Sequence, residues 1–425
     1  MIKTIPLFDK NIGNASHYRI PAMVSLGNNK VVACADERFF GCGDNPNRID
    51  KVVRISDDNG VTWGKQITAV EEIGTSKMTS SAAIDPTLLY DKDTDTLFLL
   101  YCHTPAGVGI LNCRRTTGYE DGYKVIRNKR TKYQLRGDKL FLKGKDTGIT
   151  VDEKGCVSTG GNIYDGSSEF KEESTSFLML CTSSDQGETW SKPICLNEQV
   201  KGARWGFIGA CPGVGIKLKE GKHKGRLIFP IYYGLRTAPI NITFSCIYSD
   251  DKGKTWKTGK TPLVKGRITP KNPVFLLPAQ WLSETQVVEL GPDNIMAIMR
   301  NHHPKKRAMY AHSTDGGETF GYTGFLEDIP QPICQISAIS FDYNGKRLVA
   351  TLNAASEKKR ENGVLRISDD LGKTFPYSLQ IKEGEFVYSS IALLDDGYIG
   401  IAYEDSTLHE QILFTKVHPS EVYPH

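Results

Sequence analysis

The feature that most restricts the fold is a motif, Ser-x-Asp-x-Gly-x-x-Trp/Phe, that occurs five times. The copies are Ser56/Asp58/Gly60/Trp63, Ser183/Asp185/Gly187/Trp190, Ser249/Asp251/Gly253/Trp256, Ser313/Asp315/Gly317/Phe320 and Ser368/Asp370/Gly372/Phe375. Each follows a short apolar run, such as Val52-Val53-Arg54-Ile55 or Phe177-Leu178-Met179-Leu180, and precedes another. The Ser and Asp side chains can bond nearby backbone amides, the Gly accepts a positive φ, and the aromatic ring can pack underneath. Each copy therefore reads as the hairpin turn between two strands. Self-similarity of this kind marks a repeat architecture and gives the motif a structural role.

A second theme lies between the copies: apolar strand, polar turn, apolar strand. Its turns fall at Gly27-Asn28-Asn29, 91–95, 220–225, Pro292-Asp293-Asn294, Tyr343-Asn344-Gly345 and Asp395-Asp396-Gly397. Five of these six pairs continue into a third strand, the motif and a fourth strand, which is the sheet of a propeller blade. The last pair, 391–404 with 411–417, lacks the motif and is expected to be completed by the N-terminal segment 4–8. The expected class is all-β, a six-bladed β-propeller of four-stranded antiparallel blades. Motif spacings of 127, 66, 64 and 55 residues locate the one irregularity. The excess in the first spacing is read as an insertion at 104–172, between the second and third strands of blade two, leaving 1–103 and 173–425 as the propeller.

Composition removes several function classes. A net charge of +4 over 425 residues gives no broad basic surface for nucleic acid. No run approaches the ~20 apolar residues that span a bilayer. The start, Met1-Ile2-Lys3-Thr4-Ile5-Pro6, has no leader pattern, which fits a cytoplasmic protein or the trimmed catalytic part of an exported one. The ten cysteines contain no C-x-x-C pair and are expected to be reduced and buried. Asp91-x-Asp93-x-Asp95 begins like a calcium loop but has Thr96 and Cys102 where Gly and Glu belong, so it reads as a turn. His302-His303 has no further ligand at metal spacing, and no glycine-rich phosphate loop opens a helix. Lys305-Lys306-Arg307 reads as a solvated turn. Neither metal nor cofactor is expected.

Propellers bind ligands at one end of the central channel, so polar residues near the start of successive blades are the candidates. Tyr18-Arg19-Ile20-Pro21 opens the first strand with an arginine in an apolar setting, the apolar run 295–299 ends in Arg300, and Lys359-Arg360-Glu361-Asn362-Gly363 supplies a third. Three guanidiniums directed to one place call for an anion.

These residues carry a family resemblance. Tyr18-Arg19-Ile20-Pro21 is similar to the R-I-P sequence of sialidases, and the five repeats resemble their Asp boxes. Asp36-Glu37-Arg38 followed by Asp44, then 283–290 ahead of Arg300, and Val387-Tyr388-Ser389-Ser390 resemble further motifs in the family's order. Residues 207–233, with Pro212-Gly213-Val214-Gly215 and Lys224-Gly225-Arg226-Leu227, resemble bacterial sialidases that carry an insertion there. The resemblance implies an exo-α-sialidase whose partner is a sialylated glycan. In it Arg19, Arg300 and Arg360 clamp the substrate carboxylate, Asp44 is the acid/base, and Tyr388 with Glu284 is the nucleophilic pair. Arg38 reaches the ring 4-hydroxyl, Asp85 lies on the site floor and Glu404 orients Arg19.

The chemistry has its own reasons. Sialic acid carries a carboxylate on its anomeric carbon, so an attacking Asp or Glu meets like charge at bonding distance. A neutral phenol avoids this but, with a pKa of about 10, needs a base such as Glu284. Tyrosine nucleophiles are a known departure from the two-carboxylate scheme. Three alternatives stay open at this point: transfer of the sialyl group to another sugar, transfer to a hydroxyl of the same sialic acid, and a sialic-acid-binding propeller without turnover. Each residue also has a plainer reading. In it Arg19 is a structural partner of Glu404, Tyr388 a channel-lining core aromatic, Glu284 a blade-edge carboxylate and Asp44 a turn residue in Gly41-Cys42-Gly43-Asp44-Asn45-Pro46.

Overall fold

Leu282–Gly291, Asn294–Asn301, Arg307–Ser313 and Gly324–Pro330 pair in chain order into one antiparallel sheet. Ser337–Tyr343, Lys346–Ala354, Glu361–Ser368 and Tyr377–Glu385 do the same. The computed structural model describes residues 3–235, 241–263 and 281–424; Met1 and Ile2, read above as part of a leaderless start, lie outside them. A third sheet contains Trp205–Ala210, Leu227–Leu235, Asn241–Ser249 and Lys257–Thr258. Two further groups merge into one nine-stranded sheet. The first group is His17–Gly27, Lys30–Arg38, Ile49–Ser56 and Ile67–Val70; the second is Ala82–Asp91, Thr96–Thr104, Phe177–Ser183 and Ile194–Cys195; the ninth strand, Gly213–Val214, pairs parallel with Ala82–Asp91. One parallel bridge, Ile49 to Ala82, joins them. The two ends of the chain share a sheet: Ile5–Phe8 pairs with Ile412–Val417, beside Ile399–Glu404 and Ser389–Leu393.

Inner strands such as Ile49–Ser56, Asn241–Ser249 and Leu282–Gly291 are buried on both faces because the sheets stack against each other, whereas outer strands such as Tyr377–Glu385 keep an exposed face. Met23 and Val31 pack with Leu7, Ala392, Ala402 and Phe414 of the sheet that joins the ends. Leu100, Leu178 and Leu180 pack with Phe229, Ile247 and Trp256 of the next sheet. Val288 and Ile298 likewise meet Ala338, Val349 and Phe375.

The repeated motif lies between the third and fourth strands of each group, with one geometry. In the first copy Ser56 Oγ donates to Asp58 Oδ1 at 2.8 Å and accepts from Gly60 N at 2.8 Å. Asp58 in turn accepts from Thr62 N and Thr62 Oγ1. Gly60, Gly187, Gly253, Gly317 and Gly372 all have φ between 78° and 102°, where a Cβ is unfavourable. Trp256, Phe320 and Phe375 are buried beneath their turns. Asp91 accepts from Asp93 N and Thr94 Oγ1 and pairs with Lys217, as a turn residue does.

Residues 119–172 form a separate sheet from Tyr119–Glu120, Tyr123–Asn128, Thr131–Arg136, Lys139–Leu142, Lys145–Thr150 and Phe170–Glu172. It has its own small core of Ile126, Leu140, Val151, Val157, Ile163 and Phe170. A buried charge cluster fastens it to the rest. His103 Nδ1 meets Glu72 at 2.7 Å and Nε2 meets Glu172 at 2.8 Å, while Lys124 donates to Glu172 at 2.7 Å. Burial pulls the imidazole pKa down, but Glu72 and Glu172 outweigh it and push it up to about 10. A folded-state value above the unfolded one stabilises fully below about 6.5, and the gain is lost as pH rises through the folded value. The melting temperature of wild type should therefore exceed that of His103→Gln by several degrees at pH 6, with the gap closing towards pH 10. A gap independent of pH would refute a charged His103.

Candidate active site

The pleat of Lys30–Arg38 puts Asp36 and Arg38 on one side and Glu37 on the other. Arg38 is fully buried. Its Nη2 donates to Asp36 Oδ2 at 2.8 Å and its Nη1 to Asp44 Oδ1 at 2.8 Å. Lys51, also fully buried, holds the other oxygen of Asp36 and donates to the Ala83 carbonyl at 2.6 Å. Arg19 Nη1 lies 3.6 Å from Asp44 Oδ1, and its Nε lies 3.4 Å from Glu404 Oε2.

Irregularities in the first strands set these directions. The pairing of His17–Gly27 slips between Arg19 and Ala22, that of Ala82–Asp91 between Ile84 and Thr87, and that of Leu282–Gly291 between Leu282 and Thr285. Such bulges re-aim the side chains beside them, here Arg19, Asp85 and Glu284. Ile20 has φ 58°, a conformation that a β-branched residue adopts at a cost of about 1–3 kcal/mol. Glu404 Oε1 offsets it by accepting from Ile20 N at 2.8 Å, and His409 Nδ1 sits 2.8 Å from Glu404 Oε2. Burial would raise the Glu404 pKa, but Arg19, His409 and the Ile20 amide bring it down to about 2.

Tyr388 precedes Ser389–Leu393, and its carbonyl accepts from Glu404 N at 2.9 Å. Its hydroxyl donates to Glu284 Oε1 at 2.5 Å. Arg300 Nη1 donates to both members of that pair, at 2.6 Å to Glu284 Oε2 and 2.7 Å to Tyr388 Oη. The guanidiniums of Arg19 and Arg360 lie 5.4 and 5.7 Å from the centroid of the Tyr388 ring. Arg360 donates to the Ile333 carbonyl at 3.3 Å and has no carboxylate partner among the described residues. Burial raises the Tyr388 pKa well above the phenol range; Arg300 opposes this and Glu284 adds to it.

Asp44 differs from its neighbours in exposure, with 65% of its side chain open to solvent. The surrounding protein disfavours its charge, but Arg38 and then Arg19 hold its pKa below the ordinary range. Asp85, buried, accepts from Tyr232 Oη at 3.0 Å. Burial and the charges of Asp36, Glu284 and Asp44 raise its pKa well above the carboxylate range. Arg19, Arg38, Asp44, Glu284, Arg300, Arg360, Tyr388 and Glu404 are thus joined by direct contacts, and Asp85 feels the same charges. Among the described residues no group of three His, Cys, Asp or Glu side chains is placed to hold a metal. A cavity of about 660 Å³ lies apart from this cluster, lined by Gly13, Asn14, Arg54, Trp63 and Gln66.

The BNR repeat-like domain family matches residues 163–401, more than half of the chain. The chain belongs to that family. Among curated relatives, the anhydrosialidase of Macrobdella decora is 24% identical over 93% of this chain and 58% of the relative. The sialidase of Bacteroides fragilis (strain YCH46) is 27% identical over 93% of this chain and 61% of the relative. The chain therefore spans about three-fifths of the length of these curated relatives. Among solved structures, the leech intramolecular trans-sialidase, complexed with 2,7-anhydro-Neu5Ac, superposes with a TM-score of 0.84 at 22% identity, covering 99% of this chain and 71% of that one. The Ruminococcus gnavus intramolecular trans-sialidase gives 0.82 at 24%, covering 99% and 98%. The resemblance to sialidases read from the sequence motifs holds across nearly the whole chain.

Within this BNR-family site, several contributors carry no signal in the sequence. Lys51 belongs to no motif, and only its pairing with Asp36 of the Asp36-Glu37-Arg38 motif shows why these two buried charges are tolerated. Tyr232 and His409 touch Asp85 and Glu404 across 147 and 5 residues of chain. No spacing rule connects such partners.

Proposed function

We propose that the chain is an exo-α-sialidase, a retaining glycoside hydrolase that removes terminal sialic acid from glycoconjugates. We read the sheets as six blades of a propeller, with 1–103 and 173–425 as the catalytic domain and 104–172 as an insertion within blade two. The observation that carries the function is the three-way contact of Tyr388 Oη, Glu284 and Arg300, with Arg19 and Arg360 over the same ring.

In this reading the substrate carboxylate is held by Arg19, Arg300 and Arg360 through charge-assisted bonds. Tyr388 Oη attacks the anomeric carbon while its proton passes to Glu284 Oε1. A phenol whose pKa burial raises is a poor nucleophile alone, so bond formation and proton transfer go together. Asp44 protonates the departing glycosidic oxygen and then takes a proton from water, which attacks the anomeric carbon of the sialyl-tyrosine ketoside; as that bond breaks, Glu284 returns its proton to Tyr388 Oη, giving net retention. The ligand-free Asp44 is held ionised by Arg38 and Arg19. A substrate carboxylate at Arg19 neutralises the cation 3.6 Å from Asp44 and shifts its pKa upward, toward what an acid catalyst needs.

A second reading is supported by the high structural likeness to two intramolecular trans-sialidases. There the sialyl group passes to a hydroxyl of its own sugar instead of to water. Incubation with 3′-sialyllactose and mass analysis of the released sugar separates them. Free sialic acid is the expected product; an anhydro sugar supports the second reading, and absence of cleavage with retained binding supports a lectin.

A further inference from the structure

The loop that carries Asp44 leaves the end of Lys30–Arg38 and returns at Ile49–Ser56. Its carboxylate is largely exposed, so packing around the side chain does not hold it in place. What holds the loop is internal. Asn47 is fully buried beneath it and all its amide atoms are engaged. Its Oδ1 accepts from Phe40 N at 3.1 Å, and its Nδ2 donates to the carbonyls of Gly41 and Gly43, both at 2.9 Å. The Gly43 carbonyl belongs to the peptide that leads into Asp44. Arg38 Nη1 adds a bond to the Cys42 carbonyl at 2.7 Å, and Phe39 N donates to Arg48 O at 3.1 Å to close the base.

On the other side of Asp44 the neighbouring residue ties the loop to a different part of the chain. Asn45 Nδ2 donates to Thr104 Oγ1 at 2.8 Å and to the Val108 carbonyl at 3.2 Å. Residues 105–112 form a turn knitted by Val108 N to Pro105 O, Gly109 N to Asn112 Oδ1 and Asn112 Nδ2 to Gly107 O. That turn lies so close to the loop that a Cβ at Gly109 would stand 3.0 Å from the Asn45 carbonyl oxygen. Beyond the 2.8 Å bond from Arg38 to its carboxylate, the backbone that carries Asp44 rests on two supports, one inside its own loop and one supplied by the first turn of the segment that departs from Thr104.

We propose that Asn47 and Asn45 are positioning residues for Asp44, and that the turn 105–112 is the abutment that fixes the acid on the leaving-group side; this rests on the proposed acid role of Asp44. A residue that positions an acid has a signature that a merely structural one lacks. Protonation matters in proportion to how poor the leaving group is. A 4-methylumbelliferyl sialoside releases a phenol that departs without help, whereas 3′-sialyllactose releases a sugar hydroxyl that needs the proton. The ratio of the two kcat/KM values reads the acid, because kcat/KM ends at formation of the sialyl-enzyme and excludes its later hydrolysis.

The experiment compares Asn47→Ala, Asn45→Ala, Gly109→Ala and Asp44→Asn with wild type on both substrates. The Gly109 variant perturbs the abutment without altering the loop's own residues, and it decides the matter with Asn45→Ala if loss of the buried Asn47 prevents folding. The expected result is a fall of about 10- to 100-fold on sialyllactose and of less than about threefold on the aryl sialoside, in the same sense as Asp44→Asn. Equal falls on both substrates, or no fall on either, in the folded positioning variants overturns the proposal while a substrate-dependent loss in Asp44→Asn keeps the acid role standing. Equal effects in Asp44→Asn as well would remove that role and this inference together.

Discussion

Tyr388→Phe is expected to lower sialoside turnover by at least about a thousandfold while leaving the affinity for a sialic acid analogue within a few fold of wild type. The variant removes one oxygen and nothing else. The ring remains for the guanidiniums of Arg19 and Arg360, 5.4 and 5.7 Å from its centroid, and Arg300 keeps its 2.6 Å bond to Glu284. What disappears is the 2.7 Å bond accepted from Arg300 and the 2.5 Å donation to Glu284, the route by which the phenol would lose its proton. Steady-state kinetics together with calorimetric titration of the analogue measures both quantities. Turnover near the wild-type rate would eliminate Tyr388 as the nucleophile, and lost affinity with lost turnover would make it a binding residue.

Arg300→Ala should weaken binding of the same analogue by roughly 30- to 1000-fold, the range for truncating one member of a buried, hydrogen-bonded charge pair. Its Nη1 is shared by Glu284 and Tyr388, so the truncation also leaves the Glu284 carboxylate partly buried without its cation. Arg300→Lys separates the two contributions: it restores charge but not the planar fork, so a partial recovery of affinity is expected. Unchanged affinity in the alanine variant would take Arg300 out of the carboxylate clamp. The Arg360 guanidinium, with no carboxylate partner among the described residues, is the member whose loss should cost affinity with least effect on stability.

The two variants probe a site whose parts are held from below. Asp36 stands between Arg38 and Lys51, and Glu404 between Arg19, the Ile20 amide and His409. Each carboxylate satisfies several donors, which is what makes a buried charge bearable. Among the described residues Arg38 Nε, Arg300 Nε and Ser283 Oγ are buried without a protein hydrogen-bond partner. Such groups cost stability and concentrate where function maintains them.

What the chain's sequence determined by itself is the local, repeated part of the molecule. A hairpin turn is a matter of a few adjacent residues, so Ser56, Asp58 and Gly60 announce their bonds and their φ angle without help from elsewhere, and four further copies repeat the announcement. Short apolar runs between polar turns marked the strands for the same reason, and the family's motifs named which arginines, which tyrosine and which acids to watch. The convergence of those residues belongs to the tertiary structure. Arg19 meets Glu404 across 385 residues and Tyr388 meets Glu284 across 104, separations no periodicity encodes. The bulges beside Arg19, Asp85 and Glu284, the strut of Asn47 and the pairing of Lys51 with Asp36 likewise exist only once neighbouring strands set the register. A bulge or a buried ion pair is favourable only in the company of its partners, and the packed sheets bring those partners together.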